Sequence, residues 1–270
     1  MLSPNFFNTI FVFPILNLLI LIYKGLLIIK IPGALGFAII ILTIIIRGVF
    51  NPFFKSQMQM SKKMSDIKPH LDKLTTRYKD DKKQLQQEQL KLYKEKGINP
   101  ASGCLFMIIQ IPIFIALYQT LSLLLVKDGG KIVTAINKVL YSKIINITSI
   151  DPWFFGLNLI LTPKQGGHFL YLLVPLVTGF LQYLQAQSMT PPTTSTAKKP
   201  ASAEATAGKD NTGDFQKAMN TQMKYLFPIM IGWFSYSLPI GLSIYWNVFS
   251  LFSIIQYKKM NPKLPVINSK

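Results

Sequence analysis

The stretch IIILTIIIRGVFNPFFKSQ, residues 39–57, is apolar enough to enter a lipid bilayer, yet it places Arg47 among isoleucines. A charge at the centre of a spanning helix costs about 2.5–3.5 kcal/mol on the insertion scale, so such an arginine either reaches back to the interface or serves a function. Thr43, Arg47 and Asn51 recur every four residues and are expected on one helix face. Gln110 stands in a second apolar run, roughly 14 Å from its basic end at 1.5 Å per residue. Gln182 and Gln185 occupy neighbouring turns of a third run, and Ser243, Asn247 and Ser250 share a face of the last run beside Tyr245 and Trp246. A positive charge with hydrogen-bonding groups in apolar surroundings can hold a polar or acidic segment. Plainer readings stand beside this one: Arg47 snorkels, the glutamines join helices as hydrogen-bond glue, and Trp246 packs.

Covalent chemistry is not indicated. The apolar runs contain no paired carboxylates, no HExxH and no nucleophile beside a base, so the chain does not read as an enzyme. His70, His168 and the single Cys104 have no metal-ligand spacing, and no GxxxxGK[ST] phosphate loop occurs; neither cofactor nor metal is expected. The polarity is also one-sided. Residues 34–42 and 113–125 stay mostly apolar, whereas a pore needs a polar lining through both leaflets. The pattern suggests a cavity open to the cytoplasm and sealed on the outer side.

The elements that must position these residues follow from composition. Half of the 270 residues are hydrophobic, and 29 Lys plus Arg oppose 11 Asp plus Glu, for a net charge of +18. This combination suggests a membrane protein with basic loops; a soluble nucleic-acid binder does not carry several apolar runs of about 20 residues. The expected fold is an all-α integral membrane protein with five transmembrane helices, over residues 33–54, 100–126, 168–188, 222–238 and 239–257. Residues 1–32 form an outer N-terminal segment whose apolar stretch, broken by Asn8, Pro14, Asn17, Lys24 and Lys30, is expected to lie in the interface as an amphipathic helix. That stretch has neither the positive start nor the cleavage site of a signal peptide.

Residues 55–99 show apolar positions at helical spacing, interrupted by Asp80 and Asp81, and read as a basic cytoplasmic helical hairpin. Its pattern leaves anionic lipid, RNA, another protein or no ligand at all open as its partner. Residues 127–167 form an external loop with aromatics at 153–155 for the headgroup layer. Residues 189–221 read as a disordered cytoplasmic loop, and residues 258–270 as a basic cytoplasmic tail. Lys plus Arg number 12 in residues 55–99, 4 in 189–221 and 4 in 258–270, against 5 in 127–167. The richer side is the cytoplasm, so the N-terminus lies outside.

The runs IIIRGVFNPFFKSQMQMSKKM (44–64), NPASGCLFMIIQIPIFIALYQTL (99–121) and LPIGLSIYWNVFSLFSIIQ (238–256) closely resemble the YidC/Oxa family of membrane protein insertases. The resemblance covers nearly the whole chain, with the motifs in order. It implies a bacterial cell-membrane protein that inserts and chaperones nascent membrane proteins. In it, Arg47 would sit in a hydrated groove lined by Thr43, Gln110, Phe114, Gln185 and Trp246, next to Asn247. Implied partners are nascent membrane proteins, the ribosome and the phospholipid bilayer, with the Sec translocon as a further candidate and no specific DNA. Two departures are the absence of the large outer domain of Gram-negative members and of a lipoprotein cysteine; a third is a long loop at 189–214. Rival readings are a small-solute transporter or channel, disfavoured by the one-sided polarity and the lack of repeats, and a passive ribosome tether.

Overall fold

The computed structural model describes residues 3–99, 102–124, 129–189 and 222–260. The expected disordered loop and most of the basic tail lie outside the described residues. A π-type turn, Asn8–Val12, runs into α1, Phe13–Ile28. A tight turn with Lys30 and Gly33 at positive φ then leads into α2, Ala34–Val49. Helix α3, Asn51–Arg77, and α4, Lys82–Glu95, follow. Next come α5, Ser102–Leu124, and α6, Gly129–Val139. A minimal hairpin pairs β1, Trp153–Phe154, with β2, Leu157–Asn158. The chain continues through α7, Pro163–Gly166, and α8, Phe169–Met189. After a second π-type turn, Gln222–Leu226, come α9, Phe227–Ser237, and α10, Ile240–Met260.

Three helical segments, Asn8–Ile28, Phe169–Ser188 and Ile240–Met260, are long and apolar enough to cross a membrane. A fourth qualifies if α2 and α3 count as one bent span, and Ile111–Leu124 is a shorter apolar stretch. The protein is therefore an all-α, multi-pass membrane protein.

Residues 33–54 do not form one straight helix. The chain turns by 69° at Phe50, and Pro52 in the first turn of α3 explains the stop, because proline pre-sets the start of a helix and supplies no backbone N–H to the preceding one. Residues 51–54 thus begin a long polar helix. Asp81 caps α4 by accepting from the Gln84 backbone N–H at 2.9 Å. Ile67, Leu71 and Ile98 form a small cluster with Leu92 and Tyr93, so α3 and the α4 region pack along an apolar stripe.

The main core is built by Leu16, Leu19, Ile20 and Tyr23 of α1, Leu35, Ile39 and Leu42 of α2, Leu117 and Leu121 of α5, and Leu242 and Tyr245 of α10. Helix α1 docks along the loop that follows α6. Asn17 donates to the carbonyl of Val139 at 3.2 Å and accepts from Tyr141 N–H at 2.6 Å. The Tyr23 hydroxyl accepts from Asp151 N–H at 2.9 Å, and Lys24 donates to the carbonyls of Ile144 and of Asn146. The same loop region ties down the α9–α10 turn, where the N–H groups of Ile240 and Gly241 donate to Leu161 and Leu159, each at 3.0 Å. Phe154 of β1 covers the start of α2 so closely that a Cβ on Gly36 would meet its ring at 2.1 Å. Helix α1, residues 139–167 and the α9–α10 turn thus gather at the end of the bundle where α2 begins.

Candidate functional site

Arg47 lies on α2, one turn before the bend, and is 2% exposed. Its surroundings come from two other helices. The guanidinium carbon stands 4.1 Å from the ring centre of Phe54 on α3, and 4.2 and 5.4 Å from those of Phe249 and Phe252 on α10. One terminal nitrogen donates to the Ser253 hydroxyl and, at 3.4 Å, to the Phe249 carbonyl. Among the described residues no carboxylate pairs with Arg47, and its Nε has no partner. Rings facing a cation attract it through their quadrupole, by about 2 kcal/mol when the cation is desolvated, which explains how the charge is held without a counter-ion.

The other expected residues divide. Thr43 is buried on the Arg47 side of α2, where its hydroxyl donates to the Ile39 carbonyl at 2.7 Å. Asn51 does not join them: the bend at Phe50 carries it onto α3, exposed, where it accepts from Gln256 at 2.6 Å. Phe114 of α5 and Trp246 of α10 meet edge to face, centroids 5.2 Å apart. Gln185 and Asn247 are half-buried, and the side-chain oxygens of both are buried without a partner among the described residues. Gln110 falls in α5, but its side chain lies outside the described part.

A polar ladder joins α8, α9 and α10. Ser235 pairs with Ser243 at 2.8 Å and with Thr178 at 3.3 Å, and Ser250 donates to Gln182 at 3.0 Å. Sequence reasoning named Gln182, Ser243 and Ser250 but missed Ser253, which follows Ser250 by three, the spacing of one helix face. It also missed the cage of Phe54, Phe249 and Phe252, since phenylalanines in an apolar run carry no signal of their own.

A bundle of apolar helices with a buried, ring-caged arginine and unpartnered polar oxygens on neighbouring helices defines a class: multi-pass membrane proteins with a polar interior site. The sequence model of the "60Kd inner membrane protein" family matches residues 27–265, and the chain belongs to that family, the YidC/Oxa family. It is 32% identical over 242 residues to "Inner membrane ALBINO3-like protein 2, chloroplastic" of Chlamydomonas reinhardtii, covering 88% of this chain and 52% of that protein. It is 33% identical over 229 residues to "Membrane protein insertase YidC" of Granulibacter bethesdensis, covering 83% and 34%. A protein of the same description from Fusobacterium nucleatum is 28% identical over 227 residues, covering 84% and 86%. The chain thus spans about half the length of the first of these relatives and about a third of the second, but most of the third.

Proposed function

We propose that this protein is a membrane protein insertase, not an enzyme, that receives nascent membrane proteins and releases them into lipid. The observation that carries the reading, beside the family, is the buried Arg47 guanidinium with no carboxylate partner among the described residues. Held only by rings and by a hydroxyl and carbonyl oxygen, it is a cation that an incoming acidic group can engage. The unpartnered side-chain oxygens of Gln185 and Asn247 add to this. Each such atom costs about 1–3 kcal/mol unless water or a polar segment meets it.

In this reading α2, α5, α8, α9 and α10 span the bilayer, and Thr43, Arg47, Gln110, Gln185 and Asn247 face a groove open to the cytoplasm. The groove shortens the apolar distance that a substrate's polar tail must cross, which lowers the barrier against unpaired backbone in hydrocarbon. Arg47 attracts an acidic tail, and the substrate's apolar helix then leaves sideways past Phe114 and Trp246. The membrane potential contributes about 2.3 kcal/mol per charge per 100 mV to moving an acidic group outward.

Helix α1 lies in the outer interface. Its polar contacts to residues 139–151 span Asn17 to Lys24, the middle of the helix, and a spanning orientation would place those loop carbonyls in hydrocarbon. Helices α3 and α4 form the cytoplasmic hairpin that receives substrate and ribosome, and the tail adds basic charge on the same side, with the Sec translocon as a further partner. The N-terminus is outside and the C-terminus cytoplasmic, in a bacterial cell membrane.

Reconstitution into liposomes tests the function. Insertion of a single-span substrate synthesised in the presence of the liposomes is the expected outcome. Solute flux without insertion would point to a transporter, and ribosome binding without insertion to a tether.

A further inference from the structure

A second concavity, which shares no residue with the Arg47 cage, lies between α8 and α9. The two helices run antiparallel and touch at glycines: a Cβ on Gly232 would lie 3.3 Å from the Pro175 carbonyl oxygen and 3.4 Å from Gly179 Cα. This close approach makes a backbone floor, and the larger side chains on either side stand as walls around about 650 Å³. Leu176, Ile229 and Trp233, each more than two-thirds exposed, form the rim.

Dimensions and chemistry select the occupant. The groove reaches from Leu172 to Tyr183 on α8, about 17 Å at 1.5 Å per residue, close to the roughly 15 Å depth of one leaflet and half of what a spanning helix requires. A slot of that length, floored by backbone and walled by apolar side chains, takes extended hydrocarbon chains along its axis.

One end of the groove is polar and basic. There the rings of Tyr183 and Tyr225 lie with centroids 6.0 Å apart and planes tilted by 34°, and the Lys224 ammonium lies 5.3 Å from the Tyr225 ring centre. The Tyr183 hydroxyl accepts from Gln187 at 2.9 Å, which leaves its own O–H to donate. Neither α8, α9 nor the turn before α9 contains an acidic residue.

We propose that this groove is a binding site for an anionic phospholipid, its acyl chains between α8 and α9 and its phosphate against Lys224 and the hydroxyls of Tyr183 and Tyr225. The site goes beyond the insertase reading and does not depend on it, because it needs only that α8 and α9 lie in a bilayer.

Trp233 on the rim is a local reporter. In a variant retaining only this tryptophan (Trp153→Phe, Trp246→Phe), reconstituted with brominated phosphatidylglycerol or brominated phosphatidylethanolamine at equal mole fraction, quenching should favour phosphatidylglycerol by about fivefold in effective affinity, the scale of one lysine at an anionic surface. Lys224→Gln should remove the preference. Should the single-tryptophan variant fail to fold, native mass spectrometry decides: the parent should retain one more phosphatidylglycerol through detergent washing than Lys224→Gln does. Equal quenching by the two lipids overturns the proposal, as does a preference that survives Lys224→Gln or equal retention by the two proteins. So does a Trp233 that neither lipid quenches, which would mean that a helix of a second copy or of a substrate covers the groove.

Discussion

Replacing Arg47 separates the stability of the fold from its activity. Burying the charge costs about 2.5–3.5 kcal/mol. Against this stand the rings of Phe54, Phe249 and Phe252, together about 2 kcal/mol, and a charged hydrogen bond to Ser253 of about 1.5–3 kcal/mol. The two sides agree to within about 2 kcal/mol, so Arg47→Leu should leave the purified protein folded, with a melting temperature within a few degrees of the parent. Insertion should respond differently. A carboxylate about 4 Å from the guanidinium is attracted by roughly 1 kcal/mol at the dielectric of water and 4 kcal/mol at an effective value near 20. Losing the charge should therefore slow insertion of an acidic-tailed substrate about fivefold or more. Arg47→Lys keeps the charge and should retain most activity, whereas Arg47→Gln and Arg47→Glu should lose it, and a neutral-tailed substrate should suffer less in both. The assay is insertion of two substrates that differ only in tail charge, with equal amounts of folded protein. If Arg47→Gln handles the acidic tail as well as the parent, the arginine is a structural member of its cage and not a receptor; if Arg47→Leu unfolds, the energy balance above is wrong.

Single cysteines at Gln185 or Asn247, in a Cys104→Ala background, should react with a membrane-impermeant thiol reagent from the cytoplasmic side and not from outside; equal labelling from both faces would favour a channel. Gly232→Leu should lower stability by about 1–3 kcal/mol in thermal unfolding by wedging α8 from α9, whereas Gly25→Ala, with nothing within 4 Å of the added Cβ, should raise it by up to about 1 kcal/mol. Replacing residues 62–95 by a short linker should leave a folded core in detergent and impair insertion; full activity would remove the hairpin from substrate reception.

The periodic parts of this architecture were legible from sequence. The four-residue spacing of Thr43 and Arg47 placed both on one face of α2, and both are buried there. The same spacing failed at Asn51, because periodicity assumes an unbroken axis and the axis turns at Phe50; Pro52 was the available warning. Ser243 and Ser250 were marked as interior by their shared face, but their partners Ser235 and Gln182 depend on which helices become neighbours. The Arg47 cage was less accessible still. Ser253 is 206 residues away in sequence, and nothing local to α2 indicates that α10 supplies its acceptor. Phe114 and Trp246 were named through family likeness, and their contact joins helices whose pairing no spacing encodes. Residues 129–167 held more order than their composition suggested, since α6 and the β1–β2 hairpin are short elements fixed by contacts with α1 and α2.

The docking of α1 also bears on the order of assembly. The hydrogen bonds that Asn17, Tyr23 and Lys24 make to the end of α6 and the loop after it join residues 120 to 128 apart in sequence. At about 5–20 residues per second, roughly 6–25 s of synthesis separates the appearance of α1 from that of its partners. Through that interval the Lys24 ammonium and the Asn17 side-chain oxygen on an otherwise apolar helix lack their final partners, and hydrocarbon cannot supply any, whereas the Asn17 amide N–H already donates to the Phe13 carbonyl of its own helix at 2.8 Å. Helix α1 must therefore wait where water reaches it, and it is locked in place only after the residues that follow α6 have been made.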